Sequence, residues 1–363
     1  MLFLFFFRIF APKMICQDLH SALLTLLKPY QQVVFVGDLS IRSLMQERLL
    51  FGDQWPVLWL EVSEEKKSLE TVSHIWDFLF AQQMTRRGVL VAVGGGVLTD
   101  LAGFAAATYK RGIDYLNIPT TLLAMVDASS GGKTGCNYHG LKNSIGVFHA
   151  PIETLIDPGW IKSLPVSHFL SGFAEMLKTG LIEEGVPVTG DGLWTALLQY
   201  DLDRMSIDAL TPLIEQCVNI KERFVAADPH ESGLRKALNL GHTFGHALEE
   251  IQMVNGKWLN GKWLHGYAVL YGMIAELYLS VILLGCPREP LQQLTQLMLH
   301  VYGRPVCNCK DRQKLIELMQ QDKKNECAAE INCTLLRNIG EPVINQRISP
   351  AQAEEAWDYL FSL

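Results

Sequence analysis

The segment VLVAVGGGVLTDLAGFAAAT (residues 89–108) decides the fold class of this chain. Its apolar run at 89–93 is typical of a strand buried on both faces of a parallel sheet. Three glycines follow, and the small residues after them predict a helix over 99–108. Glycines between a strand and a helix let backbone N–H groups approach a pyrophosphate. Thr99 stands where the dinucleotide fingerprint has its third glycine, so a tight structural turn is an equally good interpretation.

The same alternation extends toward the N-terminus. Short apolar runs at 33–36 and 57–60 predict two more strands, and apolar residues at helical spacing predict a helix over 69–84. Strands that alternate with helices indicate a doubly wound sheet. We therefore predict an α/β, Rossmann-like domain over residues 1–160.

The pattern changes after about residue 165. Strand patterns become sparse, and helical spacing is found at 168–182, 193–227, 237–254, 265–285 and 290–302. We therefore predict a mainly α-helical C-terminal domain over 161–363. Because ligand clefts commonly form where domains meet, we expect the active site in the interdomain cleft.

Composition excludes several classes of protein. The 363 residues are 49% apolar and 19% charged, which is enough for real cores and too apolar for disorder. A net charge of −7 argues against nucleic acid as a partner. The eight cysteines are scattered, as in a reduced cytoplasmic protein. The apolar start MLFLFFFRIF is too short to cross a membrane, and we interpret residues 1–13 as a dispensable extension before Met14.

Three histidines lie close together in the C-terminal half. His242 and His246 are four residues apart and share one helix face, and His265 follows between Leu264 and Gly266. A zincin protease would have Glu where this chain has Thr243, so that class is excluded. Three histidines among glycines favour a metal site over core packing, and zinc commonly takes three protein ligands.

A carboxylate for the same site is available in SGFAEMLKTGLI (171–182). Glu175 and Lys178 are three residues apart and share one helix face. A salt bridge on the surface of an amphipathic helix explains this pair equally well, so both interpretations stay open.

Cations cluster between residues 110 and 143, at Lys110–Arg111, Lys133 and Lys142. Together with Arg235 and the pair Lys323–Lys324, these side chains could bind a phosphate and a carboxylate. For any single lysine, a solvated surface position is the commoner situation. Asp127 could orient one of the cations, and Asp100 suits the first turn of its helix as a cap or a functional group.

Taken together, these motifs resemble the 3-dehydroquinate synthase family over about residues 31–345. The resemblance is carried by GGGVLTDLAGFAAATYKRG (94–112), IPTTLLAMVDASSGGKTGCN (118–137), LKNSIGVFHAP (141–151), SGFAEMLKTGLI (171–182), ESGLRKALNLGHTFGHALE (231–249), LHGYAV (264–269) and DKKN (322–325). Related sugar phosphate cyclases share many of these motifs.

The resemblance implies a lyase of the shikimate pathway, which leads to chorismate and the aromatic amino acids. The substrate would be 3-deoxy-D-arabino-heptulosonate 7-phosphate. NAD⁺ would transiently oxidise its C5 hydroxyl, phosphate would leave by β-elimination, and the returned hydride, ring opening and an intramolecular aldol step would give 3-dehydroquinate. The cofactors would be NAD and Zn²⁺ or Co²⁺.

The resemblance also implies roles for individual residues. Glu175, His242 and His265 match the metal ligands, and His246 matches a proton-transfer histidine. The groups around the substrate match Arg111, Asp127, Lys133, Lys142, Asn143, Lys178, Lys221, Arg235, Asn239 and one of Lys323 or Lys324. The NAD-contacting positions match Asp38, Glu64, Lys67, Gly95, Gly96, Val97, Leu98, Thr99, Asp100, Thr120, Thr121, Lys133, Lys142, Trp160, Ile161, Lys162 and Ser163.

Two departures from the family pattern concern the third ligand. Tyr267 stands where the family usually has Glu after His-Gly, which removes a carboxylate that could orient groups near the metal. The pentapeptide NGKWL at 255–259 recurs at 260–264 and lengthens the loop before His265. Either change could alter the position of that histidine.

Three alternatives stay open. A related cyclase such as 2-deoxy-scyllo-inosose synthase would differ only in its substrate. An NAD- and metal-dependent polyol dehydrogenase would turn over NADH and need no phosphate-ejecting pocket. A non-catalytic binding module would fit the two departures. We expect a cytoplasmic homodimer with a small-molecule substrate and with neither nucleic acid nor membrane as a partner.

Overall fold

The computed structural model describes residues 13–50, 54–139, 141–184, 192–251, 264–305, 312–320 and 330–363. The chain divides into two compact units, of which the first ends at Leu164 and the second begins at Pro165. The repeated NGKWL, Lys323, Lys324 and residues 1–12 lie outside the described residues, apart from Leu264. Each unit is described separately below.

The first unit is an α/β sheet structure. In chain order its elements are β1 (Lys13–Ile15), α1 (Leu19–Leu27), β2 (Val33–Asp38), α2 (Arg42–Leu49), β3 (Val57–Leu60), α3 (Leu69–Ala81), β4 (Val89–Gly94), α4 (Gly96–Thr108), β5 (Asp114–Pro119), β6 (Lys133–Tyr138), β7 (Leu141–Phe148) and β8 (Glu153–Ile156). Six strands form one parallel sheet in the order β1-β8-β5-β4-β2-β3. The predicted Rossmann-like fold class is confirmed.

The quoted segment lies at the centre of this sheet. All six residues of β4 are buried, because helices cover both faces of a central parallel strand. The chain moves from β2 outward to β3 and then returns to β4 on the other side of β2. Strand order therefore reverses between β2 and β4, which is where ligands bind in open α/β sheets. Asp38 and Gly94 end these two strands.

Two features of the first unit differ from the sequence-based expectation. Lys13, the last residue of the predicted extension, belongs to β1 and pairs with Thr154, so an edge strand begins before Met14. Lys133 and Lys142 of the cation-rich segment belong to an antiparallel hairpin of β6 and β7, which the sequence pattern did not predict. Apolar and polar residues do not alternate regularly along these two strands, and most residues of β7 are exposed.

The second unit is mainly helical, as predicted. It contains α5 (Val166–Leu181), α6 (Leu193–Leu198), α7 (Ile207–Ala227), α8 (His242–Ile251), α9 (His265–Leu284), α10 (Arg288–Leu297), α11 (Arg312–Gln320), β9 (Ile331–Asn338), β10 (Glu341–Ile348) and α12 (Pro350–Ser362). Strands β9 and β10 pair as an antiparallel hairpin, which sequence periodicity missed.

The predicted helix over 193–227 was wrong in its length, because the structure divides it into α6 and α7. Asp201 accepts hydrogen bonds from the N–H groups of Asp203 and Arg204, and Ser206 caps α7. Such side-chain caps compete with helical hydrogen bonding. The predicted helix over 237–254 likewise begins only at His242, after a 3₁₀ turn and Gly241 with φ +80°.

Helix α9 is long and apolar enough to cross a membrane. Of its most apolar 18-residue window, however, 67% is buried inside the protein. A core helix of this kind passes the same test of length and composition as a membrane span. Within the described residues, α9 is therefore the central helix of the second unit and only weak evidence for membrane insertion.

Candidate active site

Glu175 on α5, His242 on α8 and His265 on α9 meet inside the second unit. Their potential ligand atoms all lie within 4.8 Å of one another. Glu175 Oε1 lies 3.7 Å from His242 Nε2 and 3.4 Å from His265 Nε2. Donors bonded tetrahedrally to one zinc at about 2.1 Å would be about 3.4 Å apart. Two imidazole nitrogens and one carboxylate oxygen at this spacing fit a divalent transition metal.

Two glycines of α9 bring these helices together. A Cβ on Gly266 would overlap the carbonyl oxygen of Ser171 on α5, and the Gly266 N–H donates to Ser171 Oγ at 3.0 Å. A Cβ on Gly272 would overlap the carbonyl oxygen of Gly241, the residue before His242. Helix α9 can therefore approach α5 closely at Gly266 and the start of α8 closely at Gly272.

Buried polar contacts fix the other two ligands. The ammonium of Lys178 pairs with Glu175 Oε2 inside α5, and both side chains are almost fully buried. The interpretation of this pair as a surface salt bridge is therefore wrong. His242 Nδ1 lies 3.2 Å from the Leu240 carbonyl oxygen, which leaves Nε2 directed toward Glu175. The buried Glu276 carboxylate accepts a 2.5 Å hydrogen bond from the Gly241 N–H and holds this turn.

His265 lies between two carboxylates. Its Nδ1 is 3.3 Å from Glu249 Oε2, and its Nε2 faces Glu175. Burial lowers the pKa of His265, but the charges and hydrogen bonds of Glu249 and Glu175 outweigh it and raise the pKa to about 10. The local field is therefore negative and attracts a cation. His265 keeps its place beside the other ligands although the loop before it is lengthened.

His246 lies one turn beyond His242 on α8 and is half-buried. Its ring centre is 5.4 Å from that of His242 and 6.4 Å from that of His265. At these distances His246 stands beside the three ligands without belonging to the ligand cluster. An imidazole in this position can exchange a proton with a group held at the cluster.

A short loop supplies further polar groups. The carboxylate of Asp228 accepts hydrogen bonds from the N–H groups of Ser232, Gly233 and Arg235. Burial raises the pKa of Asp228, but the hydrogen bonds from these N–H groups outweigh burial and hold the pKa below its ordinary value. The loop thereby fixes Arg235, which is 2% exposed. Asp228 carried no signal of this role in the sequence analysis.

Two further predicted site residues of the second unit are Asn239 and Lys221. Asn239 donates to Glu231 Oε1 at 2.9 Å, and Lys221 is buried on α7. The structure thus describes each predicted site residue of this unit except Lys323 and Lys324. Tyr267 packs edge-on against Tyr302, with ring centres 5.1 Å apart, in place of the missing glutamate.

In the first unit the glycine turn caps α4. Gly95 is the N-cap, and Gly96, Val97, Leu98 and Thr99 form the first turn of the helix. Thr120 N–H donates to the Gly94 carbonyl at 3.0 Å, which ties the turn to the end of β5. Leu98 is fully buried, and its N–H donates to the Gly95 carbonyl at 3.1 Å, so Leu98 supports the turn from inside and does not face a ligand.

A polar cluster joins four elements beside this turn. The buried ammonium of Lys67 pairs with Asp100 and lies 2.6 Å from Asn143 Oδ1. Asn137 accepts a 2.8 Å bond from the Asn143 N–H, and it donates to Glu64 Oε1 at 2.8 Å. Burial raises the pKa of Asp100, and Lys67 opposes that rise. Asn137, which links the cluster, was not singled out as a site residue.

A small cavity lies behind the cluster. Its walls include the predicted residues Thr99, Asp100 and Lys133. Two further wall residues, Asn117 and Ser129, are buried, and Asn117 Oδ1 and Ser129 Oγ have no hydrogen-bond partner among the described residues. Polar atoms of this kind need a ligand or water. Burial of two single polar residues is not readable from sequence, so both were missed.

The other predicted residues of this unit differ in how far they are exposed to solvent. Arg111, Lys162 and Ser163 are exposed, and Lys142, Asp127 and Thr121 are partly buried. Asp38 accepts from the N–H of Ser40 at 2.9 Å. Trp160 and Ile161 are buried, and the guanidinium of Arg48 stacks on the Trp160 ring at 5.0 Å. Trp160 is thus a core residue of the first unit.

The chain is similar to known proteins in its family motifs, in its whole sequence and in its fold. Family models of 3-dehydroquinate synthase match residues 57–171 (N-terminal) and 172–325 (C-terminal). The 3-dehydroquinate synthase of Parabacteroides distasonis is 40% identical over 350 residues, which covers 95% of this chain and 96% of that protein. That of Halorhodospira halophila is 37% identical over 321 residues, or 88% of this chain and 87% of that protein.

Solved structures agree with the fold. The 2-epi-5-epi-valiolone synthase ValA of Streptomyces hygroscopicus, solved with NAD⁺ and Zn²⁺, superposes with a TM-score of 0.82 at 27% identity over 98% of each chain. A 2-deoxy-scyllo-inosose synthase, solved with carbaglucose-6-phosphate, NAD⁺ and Co²⁺, gives a TM-score of 0.79 at 24% identity over 95% of each chain. The two-domain cyclase fold is thereby confirmed.

The close approach of α9 to the turn before His242 generates the first prediction. Gly272→Ala should cost about 1–3 kcal/mol of unfolding free energy, because its methyl group overlaps a backbone carbonyl. The displaced helices should also weaken Zn²⁺ binding by about tenfold or more. Thermal unfolding and Zn²⁺ titration measure the two effects. Ile282→Ala, on the exposed end of α9, is the control; an unchanged Gly272→Ala protein would contradict the packing account.

Proposed function

Because the chain belongs to the 3-dehydroquinate synthase family, we propose that its site converts 3-deoxy-D-arabino-heptulosonate 7-phosphate into 3-dehydroquinate and phosphate. The enzyme is a carbon–oxygen lyase that depends on NAD and a metal. The observation that carries the proposal is the cluster of Glu175, His242 and His265, with His246 beside it. This reaction belongs to the shikimate pathway, which leads to chorismate and the aromatic amino acids.

Glu175, His242 and His265 would hold the metal, Zn²⁺ or Co²⁺. When bound, the ion supplies Lewis-acid polarisation of substrate hydroxyl groups. Lys178 neutralises one oxygen of Glu175 and keeps the other directed at the two imidazoles. The three side chains come from three different helices, so the packing of the second unit sets the position of the substrate hydroxyls.

His246 would transfer protons at the substrate. Its imidazole ring lies close enough to His242 and His265 to reach a substrate hydroxyl held beside them. The ring is half-buried, so it can also release a proton to solvent. An imidazole changes charge near neutral pH, which suits it to accept and return one proton in a cycle.

The remaining polar side chains would bind the two anionic groups of the substrate. Arg235, Lys221, Lys178 and Asn239 serve from the second unit, and the Asp228 loop fixes the arginine in advance. From the first unit we propose the cations Arg111, Lys133 and Lys142 with the amide of Asn143, and Asp127 would orient one of these cations. The phosphate and the carboxylate both suit such cations.

The glycine turn of the first unit would bind NAD. The N–H groups of Gly95, Gly96 and Val97 would face the pyrophosphate at the start of α4, where an anion meets the positive end of the helix dipole. Leu98 and Thr99 complete the turn, because their N–H groups donate to the Gly95 carbonyl. Bound NAD would supply the hydride acceptor and donor of the reaction. Asp100, Lys67 and Glu64 would line the cofactor, together with Asp38, Thr120, Thr121, Lys162 and Ser163. The buried Trp160 and Ile161 would hold that last stretch in place.

Localisation and assembly are part of the same proposal. We propose a cytoplasmic enzyme that acts as a homodimer on a small phosphorylated sugar acid. A biosynthetic family with a buried α9 supports a protein outside the membrane. Related cyclases and a net-redox polyol dehydrogenase are the alternatives that the assay below separates from this function.

The first test follows phosphate and NADH together. Purified protein receives the heptulosonate phosphate, NAD⁺ and Zn²⁺ or Co²⁺. We expect phosphate release without accumulation of absorbance at 340 nm, because the hydride returns within one turnover. Steady NADH production would contradict a cyclase, and the absence of any turnover would indicate a related cyclase that takes another sugar or an inactive site.

A second test separates the ligand role from the proton-transfer role. His246→Ala should lower kcat by about 10²–10⁴-fold and leave metal content near wild type, because its loss removes only a general acid–base group. His265→Ala should lose the metal. Metal analysis of both purified variants is the measurement. Strong metal loss in His246→Ala, or unchanged metal in His265→Ala, would reverse the two assignments.

A third test concerns the cluster at the glycine turn. Asn137→Ala removes hydrogen bonds to Glu64 and Asn143, each worth about 0.5–1.5 kcal/mol. NAD⁺ affinity should therefore fall by about tenfold, as measured by fluorescence titration. Ser144→Ala removes one exposed hydrogen bond in the same hairpin and should leave the affinity unchanged. Equal affinities for the two variants would rule out a positioning role for Asn137.

A further inference from the structure

Glu249 contacts His265 on the edge of the ring opposite the ligand cluster. Glu249 Oε2 lies 3.3 Å from His265 Nδ1, while His265 Nε2 lies 3.4 Å from Glu175 Oε1. The two ring nitrogens thus meet two different carboxylates from two different helices. His265 Nε2, the nitrogen beside Glu175, therefore lies on the side of the three-residue ligand cluster.

The position of Glu249 follows from helix geometry. His242, His246 and Glu249 occupy positions i, i+4 and i+7 of α8, so they form one stripe along the helix. The Glu249 residue is 5% exposed. Burial of a carboxylate costs free energy unless a hydrogen bond or a cation meets its charge, and the His265 imidazole is such a partner.

We propose that Glu249 is a positioning residue for the metal ligand His265. Its carboxylate accepts the Nδ1–H hydrogen bond, so that a metal displaces the proton of Nε2, the nitrogen that faces Glu175, and not that of Nδ1. A carboxylate behind a histidine also increases the basicity of the ligating nitrogen. This inference rests on the proposed metal-dependent function.

The inference also accounts for Tyr267. The motif after His265 has lost its acidic residue, and Tyr267 packs against Tyr302 instead of carrying a charge. The carboxylate at His265 Nδ1 comes from α8, which also carries His242. Helix α8 therefore provides one ligand directly and orients a second ligand through Glu249.

The test measures Co²⁺ binding to four full-length proteins: wild type, Glu249→Met, Glu249→Gln and Glu250→Gln. Methionine keeps the approximate size and removes the acceptor, whereas glutamine keeps an acceptor oxygen and removes the charge. Glu250→Gln removes the same charge one residue farther along α8, about 100° around the helix from Glu249. Co²⁺ affinity and the visible absorption spectrum of bound Co²⁺ are recorded, with the unfolding midpoint of each metal-free protein.

We expect Glu249→Met to weaken Co²⁺ binding by about 10–100-fold and to alter the spectrum. Glu249→Gln should lose less, and Glu250→Gln should match wild type in both readouts. Wild-type affinity in Glu249→Met, or equal losses in Glu249→Gln and Glu250→Gln, would overturn the inference. If Glu249→Met does not fold, the comparison of the two glutamine variants decides by the same criterion. A wild-type protein that binds no Co²⁺ would overturn the proposed function itself.

Discussion

The close approach of α9 to α5 and α8 is the constraint on which the rest of the site depends. Gly266 and Gly272 have no side chains, so backbone carbonyls of Ser171 and Gly241 can lie against α9. Each contact lies next to a functional residue, since Gly266 follows His265 and Gly241 precedes His242. Packing therefore sets the separation of the ligand atoms before any ion is considered.

Charge is arranged around that packing in a consistent way. Two carboxylates, Glu175 and Glu249, flank His265, and one ammonium, Lys178, offsets part of their charge. The site therefore attracts a cation, although the whole chain also contains the groups proposed to bind two anions. In the first unit Lys67 and Asp100 form a similarly buried pair beside the glycine turn. A net charge of −7 does not reveal either arrangement, because composition averages over the surface and the interior.

Much of the fold could be predicted from periodicity. The run at 89–93 and the glycines after it are strong local signals, and the structure places them at the centre of the sheet. The hairpins β6–β7 and β9–β10 were missed because their residues lack a clean alternation of apolar and polar side chains. The division between α6 and α7 was missed because it depends on hydrogen bonds of Asp201 and Ser206, which act over a few residues.

Site residues that belong to a sequence motif could be predicted, whereas site residues that are brought together only by packing could not. Histidines at four-residue spacing indicated a metal site, whereas nothing in the spacing joined Glu175 to them or separated a buried Lys178 from a surface salt bridge. Asp228, Asn137 and Glu249 act through hydrogen bonds that only the folded chain brings together. Residues that position other residues have little sequence signal of their own.

Anomalous diffraction at the zinc edge from crystals of the Zn²⁺-loaded protein tests the central claim most directly. We expect one strong peak within bonding distance of Glu175 Oε1, His242 Nε2 and His265 Nε2, with His246 and Glu249 outside the coordination sphere. A peak bonded to His246 in place of His265, or no peak in the second unit, would contradict it.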